Sequence, residues 1–137
     1  MAIDAGRTDA THPAWTRLRR RADFQRVARG RRANVESFSL QARARTDAED
    51  GQAGPRVGFT VTRKIGGAVE RNRIRRRLKA ALAAAAAIAP APDNDYVLVA
   101  RRPALTRPFI ALVSELERAF AQIGRAKPTA TDRDPRS

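Results

Sequence analysis

Apolar side chains recur along this chain with two periods, one helical and one extended, and glycine or proline punctuates the switches between them. From Arg20 to Arg29, Phe24 and Val27 fall three apart on one helical face, with Asp23 as a candidate N-terminal residue and Gly30 as the stop. Ser37-Phe38-Ser39-Leu40-Gln41-Ala42-Arg43 alternates polar with apolar, the period of a half-buried strand. The acidic, glycine-bearing stretch from Thr46 to Pro55 reads as a loop. Beyond it Arg56 to Thr62 alternates again, with Val57, Phe59 and Val61 on one side.

Gly66-Gly67 breaks the extended pattern. Ile74, Leu78, Ala81, Leu82, Ala85 and Ile88 then form one helical stripe, opposite Asn72, Arg73, Arg76 and Lys79. Alanine is the best helix former, so the run from Ala80 to Ala89 predicts a helix that continues until Pro90 and Pro92 end it. Asp95 to Arg101 is a largely apolar strand, expected to be buried on both faces. Phe109, Leu112, Val113, Leu116 and Phe120 mark a last amphipathic helix, closed by Gly124. The order is helix, strand, strand, helix, strand, helix, with room for one more strand between residues 31 and 45. It predicts an α+β sandwich with one sheet and its helices on one face. A single domain over 17–124 is expected, between a flexible leading tail (1–16) and a disordered trailing tail (125–137).

Charge changes the picture from fold to partner. The 137 residues hold 28 Lys plus Arg against 14 Asp plus Glu, a net charge of +14. A domain this small with such an imbalance repels itself when alone, so a polyanionic partner is expected. Only Lys64, Lys79 and Lys127 are lysines, and guanidinium forks suit phosphate and stack on bases. Cysteine is absent and His12 is the single histidine, in a polar leading segment. Thiol chemistry, a Ser/His/Asp triad and a His-ligated metal site are therefore not expected. No apolar run is long enough to span a bilayer or to serve as a secretion signal, which leaves the cytoplasm as the expected location.

The basic residues concentrate between Arg63 and Lys79, where eight of seventeen residues are basic and only Glu70 is acidic. A strand delivers Arg63 and Lys64 to a glycine turn, and Gly66 and Gly67 let the backbone approach a bulky partner. The helix that follows opens with free N–H groups and the positive end of its dipole, a ready anion site. Asn72, between two arginines, can bond a base edge, a ribose or the neighbouring backbone. Like charges at this spacing cost stability unless a partner neutralises them.

The run Lys64-Ile65-Gly66-Gly67-Ala68-Val69-Glu70-Arg71-Asn72-Arg73-Ile74-Arg75-Arg76 closely resembles the RNR motif of the bacterial ribonuclease P protein family. Arg56 to Val61 resembles the strand that precedes that motif, Asp23-Phe24-Gln25-Arg26-Val27 the family's opening helix, and Tyr96 to Ala104 its last strand. The likeness runs in order over residues 17 to 122. It implies an α-β-β-β-α-β-α fold with one mixed sheet and a left-handed crossover through the RNR helix, against the usual hand. It also implies a large catalytic RNA as partner, one protein per RNA, and joint removal of the 5′ leader from precursor tRNA. Magnesium ions would be bound mainly by the RNA, with no catalytic side chain on the protein. Residue by residue, Arg63, Lys64, Arg71, Asn72, Arg73, Arg75 and Arg76 would touch the catalytic RNA. Phe24, Arg26, Phe38 and Arg43 would belong to a cleft for the leader strand. Ala28 and Gln41 stand where relatives often carry aromatics, so Arg26, Arg29, Arg43 and Arg45 are expected to compensate through phosphate contacts.

Two other classes share some of these features. A structural RNA-binding protein, such as a ribosomal component, would carry the same charge but not the RNR run with its leader cleft. A nuclease acting alone would need clustered carboxylates. Asp47, Glu49 and Asp50 do cluster, but in a soft stretch that reads as a solubilising turn.

Overall fold

The computed structural model describes residues 15–45 and 54–125. The elements run β1 (Thr16–Arg17), α1 (Arg21–Ala28), β2 (Arg31–Asn34), β3 (Phe38–Ala44) and β4 (Arg56–Thr60). A 3-10 turn (Arg63–Ile65), α2 (Ala68–Ala84), β5 (Asn94–Ala100), a second 3-10 turn (Arg102–Leu105) and α3 (Phe109–Arg125) complete the chain. Apart from the two-residue β1, this is the expected order, and the extra strand between residues 31 and 45 is β2. The strands form one mixed sheet in the order β1-β4-β5-β3-β2. β3 is antiparallel to β2 and β5, with Leu40 opposite Leu98, whereas β4 runs parallel to β5, with Val57 opposite Tyr96. β5 lies at the centre and is buried on both faces, as its near-continuous apolar run requires.

The pleat sorts β3 and β5 by parity. Phe38, Leu40, Ala42, Tyr96, Leu98 and Ala100 face α2 and α3, whose Ile74, Leu78, Leu82, Leu112, Leu116 and Phe120 complete the main core. Val97 and Val99 point the other way and meet Leu18, Phe24 and Val27 of the α1 side. The helices therefore cover both faces, α1 alone on one of them, which corrects the expectation of a single helical face. Apolar spacing states which side of a helix is buried, but not against which sheet face.

Three boundaries differ from those expected. Trp15 and Thr16, assigned to the leading tail by composition, belong to the folded part. The Trp15 ring sits edge-on to Tyr96 and Phe120, with centroids 5.9 and 6.1 Å away, and Thr16 and Arg17 pair in parallel with β4. α2 stops at Ala84 instead of running to Ala89. Pro90 bars continuation past Ala89, but the turn is already broken at Ala85, whose ψ of 87° leaves the helical range. The Ala87 N–H lies 3.4 Å from the Glu117 carboxylate instead. Gly124 lies within the last turn of α3, not beyond it. Among the described residues no helix is long and apolar enough to cross a membrane. His12, the acidic cluster Asp47, Glu49 and Asp50, and the trailing tail from Lys127 lie outside the described residues.

Candidate nucleic-acid interface

The basic segment forms one continuous surface. Arg63 and Lys64 stand exposed on the first 3-10 turn, and α2 begins at Ala68 behind Gly67, whose N–H donates to the Glu70 carboxylate. Among the described residues the N–H groups of Ala68 and Val69 carry no bond of their own and follow two cations, an arrangement that favours an anion. Arg73 and Arg76 project from the solvent side and have no protein partner among the described residues. Arg71 turns back, its Nε donating to the Gly66 carbonyl at 3.1 Å. Arg75 donates to Asn72 Oδ1 at 3.3 Å, which leaves the Asn72 amide group to donate outward.

Gly66 is small for an internal reason. A Cβ there would stand 2.0 Å from Glu70 Oε1 and 2.8 Å from Arg102 Nη1. The approach that glycine permits is that of the protein's own ion pair, while the space beside Gly67 is open. Arg102 forks onto Glu70 with bonds of 2.9 and 3.1 Å and also donates to the Ile65 carbonyl at 2.6 Å. This fork ties the start of α2 to the second 3-10 turn, just beyond β5. The hydrogen bonds from Arg102 hold the Glu70 carboxyl below its ordinary value of 4.5. The single acidic residue of the segment is thereby consumed internally, and the outward charge stays of one sign.

On the opposite sheet face, α1 rests on β3 and β5 and reaches β4 at Gly58. Phe24 packs its ring against Gly58, where any Cβ would come within 2.5 Å of Cε1 and Cζ, and the residue remains partly exposed. Arg26 is anchored by Asp23 at 2.8 Å, with its side chain 43% exposed. Arg43 is on the same face of β3, opposite Asp95 and partly buried. Phe24, Arg26 and Arg43 thus share one side of the sheet. Phe38 does not join them: it is fully buried under α2 and α3, in the core on the far face. Arg45 is likewise no surface contact, because its side chain is 1% exposed and donates to Asp95 at 2.8 Å.

Beneath α1 lies an ionic network that periodicity did not disclose. Asp95 accepts from Arg45 and from both Arg56 Nε (2.7 Å) and Arg56 Nη2 (2.6 Å), while Arg56 Nη1 reaches Asp23 at 3.6 Å. Asp23 is therefore not a helix cap; Arg20 holds that position without a side-chain bond, and Asp23 is buried in the first turn. One signal was available in the chain: a carboxylate opening an otherwise apolar strand must find a partner if buried. Arg77 was also not singled out. Its Nε donates to the Ala104 carbonyl at 3.0 Å and its Nη2 to that of Arg107, clamping the second 3-10 turn to α2. Among the described residues no three acidic or histidine side chains gather into a metal-holding group.

Comparison with known proteins places these features in context. The family model for Ribonuclease P matches residues 13–124. The Ribonuclease P protein component of Brucella suis is 46% identical over 115 residues, covering 81% of this chain and 82% of its own. The Staphylococcus aureus RNase P protein structure superposes with a TM-score of 0.61 at 25% identity, over 80% of this chain and 94% of that one. The RNase P protein from Thermotoga maritima gives 0.62 at 24% identity, over 81% and 97%.

Proposed function

The chain belongs to the ribonuclease P protein family, and from that premise we propose that it binds the catalytic RNA through the α2 face and the precursor-tRNA leader beside α1. The observation that carries this reading is the exposed basic surface of Arg63, Lys64, Arg73 and Arg76 along the start and outer side of α2. Each guanidinium or ammonium that replaces condensed counterions on RNA gains affinity by releasing them. A protein of net charge +14 also screens repulsion between two RNAs, which raises substrate affinity. The leader would run over Phe24 and between Arg26 and Arg43. With Phe38 and Arg45 both buried, that groove offers one aromatic platform instead of two, and leader binding is expected to depend strongly on salt.

Leader removal is phosphodiester hydrolysis, and the protein's part in it is positional. Asp23, Asp95 and Glu70 are each engaged by arginine, a poor donor set for a divalent ion. The reading assigns the magnesium ions mainly to the RNA, in a cytoplasmic complex of one protein per RNA, and expects the protein alone to be inactive.

The test is cleavage of a precursor tRNA by ribonuclease P RNA at low magnesium, with this protein, without it, and with the Arg73→Ala/Arg76→Ala variant. Stimulation that the variant loses supports the reading. Tight RNA binding without stimulation would favour a structural RNA-binding role. Metal-dependent cleavage by the protein alone would overturn the assignment of catalysis to RNA.

A further inference from the structure

Between α2 and the start of α3 lies a cleft of about 380 Å³, lined by Arg73, Arg76, Arg77, Ala80, Leu105 and Phe109. Its two walls differ in chemistry. α2 presents Arg73 and Arg76, exposed and without partners among the described residues. Leu105 and Phe109 form the facing apolar wall. Arg77 is spent on the Ala104 and Arg107 carbonyls, so it braces that wall at a set distance from α2.

Phe109 is out of place as a core residue. It falls on the α3 stripe that continues through Leu112, Leu116 and Phe120, all of them buried, yet it is 43% exposed. With Val69 and Ile110 it is one of three large apolar side chains exposed among the described residues. The Pro108 carbonyl accepts from Ala111 and Leu112 at 2.9 and 3.1 Å, which holds the first turn of α3 and with it the backbone of Phe109. The backbone carrying an exposed aromatic ring is thus held, and two unpaired guanidinium groups line the same cleft.

We propose that this cleft takes an unpaired nucleotide of an RNA, its base stacked on Phe109 and its phosphate held by Arg73 and Arg76. An apolar peptide would satisfy the ring but leave two guanidinium groups desolvated without counter-charge. A nucleotide supplies both the π face and the anion, and stacking on a ring tolerates any base. The proposal rests on the RNA-binding reading of α2 and adds to it a contact that is not electrostatic.

The test uses the full chain with Phe109→Ala, Phe109→Leu and Phe109→Tyr. Affinity is measured for a bacterial ribonuclease P RNA transcript, and for precursor tRNA on the preformed complex, across a salt series. The alanine and leucine variants are expected to lose roughly five- to a hundred-fold in one arm, the worth of one stacked base, while tyrosine retains affinity. The arm affected identifies which RNA supplies the nucleotide. The slope of log K against log salt should not change, as no phosphate contact is removed. Thermal melting checks that each variant is folded. Leucine binding as well as phenylalanine, or no loss in either arm, overturns the proposal. Arg73→Ala/Arg76→Ala separates the two levels: loss of affinity there beside a silent Phe109 sinks only this inference, whereas wild-type affinity there removes the reading beneath it.

Discussion

Replacing Asp95 by asparagine should cost this domain a large part of its stability. The Asp95 side chain is 2% exposed and accepts from Arg45, itself 1% exposed, and from Arg56, 14% exposed. Three N–H donors converge on its two oxygens within 2.6 to 2.8 Å. Asparagine keeps the shape but brings an NH2 group. In either orientation that group faces a guanidinium donor, and the charge balancing two buried cations is gone. Breaking a buried ion pair from one side costs about 3–5 kcal/mol, against about 5–15 kcal/mol for a typical domain. At roughly 4–8 °C per kcal/mol, the midpoint of thermal unfolding should fall by at least about 12 °C. Arg45 also donates to the carbonyls of Gly54, Pro92 and Asn94, so the damage should extend to the loops that close this end of the sheet. Urea and thermal unfolding of the two proteins at neutral pH measure the effect. A loss under about 1 kcal/mol with an unchanged urea slope would refute the reasoning, because it would mean that water already screens the network.

Gly58→Ala places a methyl 2.5 Å from the Phe24 ring and 3.2 Å from Leu18 Cβ. α1 should be lifted from the sheet at a cost of about 1–3 kcal/mol, with weaker leader binding and unchanged affinity for the catalytic RNA. Equal loss of both affinities would contradict the separation of the two faces. Glu70 should titrate below 4.5, because the Arg102 fork favours its ionised form. With the folded value depressed, the fork's contribution is present above the unfolded value and disappears as pH falls through the folded one. A carboxyl chemical-shift titration should show a midpoint below 4.5 that returns towards it in Arg102→Ala. A wild-type midpoint at 4.5 would show that the fork does not persist in solution.

Much of the molecule was legible along the chain because local rules suffice for it. Alternation at Ser37–Arg43 and Arg56–Thr62 marked strands, and the stripe from Ile74 to Leu82 marked the buried side of α2 and so exposed its arginines. The RNR run carried the family, since a glycine turn followed by same-sign charge is a local arrangement. Tertiary structure alone decided the rest. Parity along β3 divides its residues between two faces, but only the placement of α1 opposite α2 and α3 makes Phe38 core and leaves Phe24 at the groove. Asp95, Arg45 and Arg56 look like ordinary surface charges until the register sets them side by side across 39 and 50 residues of chain. Phe109 reads as core by spacing, yet as the first residue of α3 it stands 43% exposed. Periodicity reports how often a side chain faces inward along its own element. What it meets there depends on partners far away in sequence, and those are fixed only when the layers close.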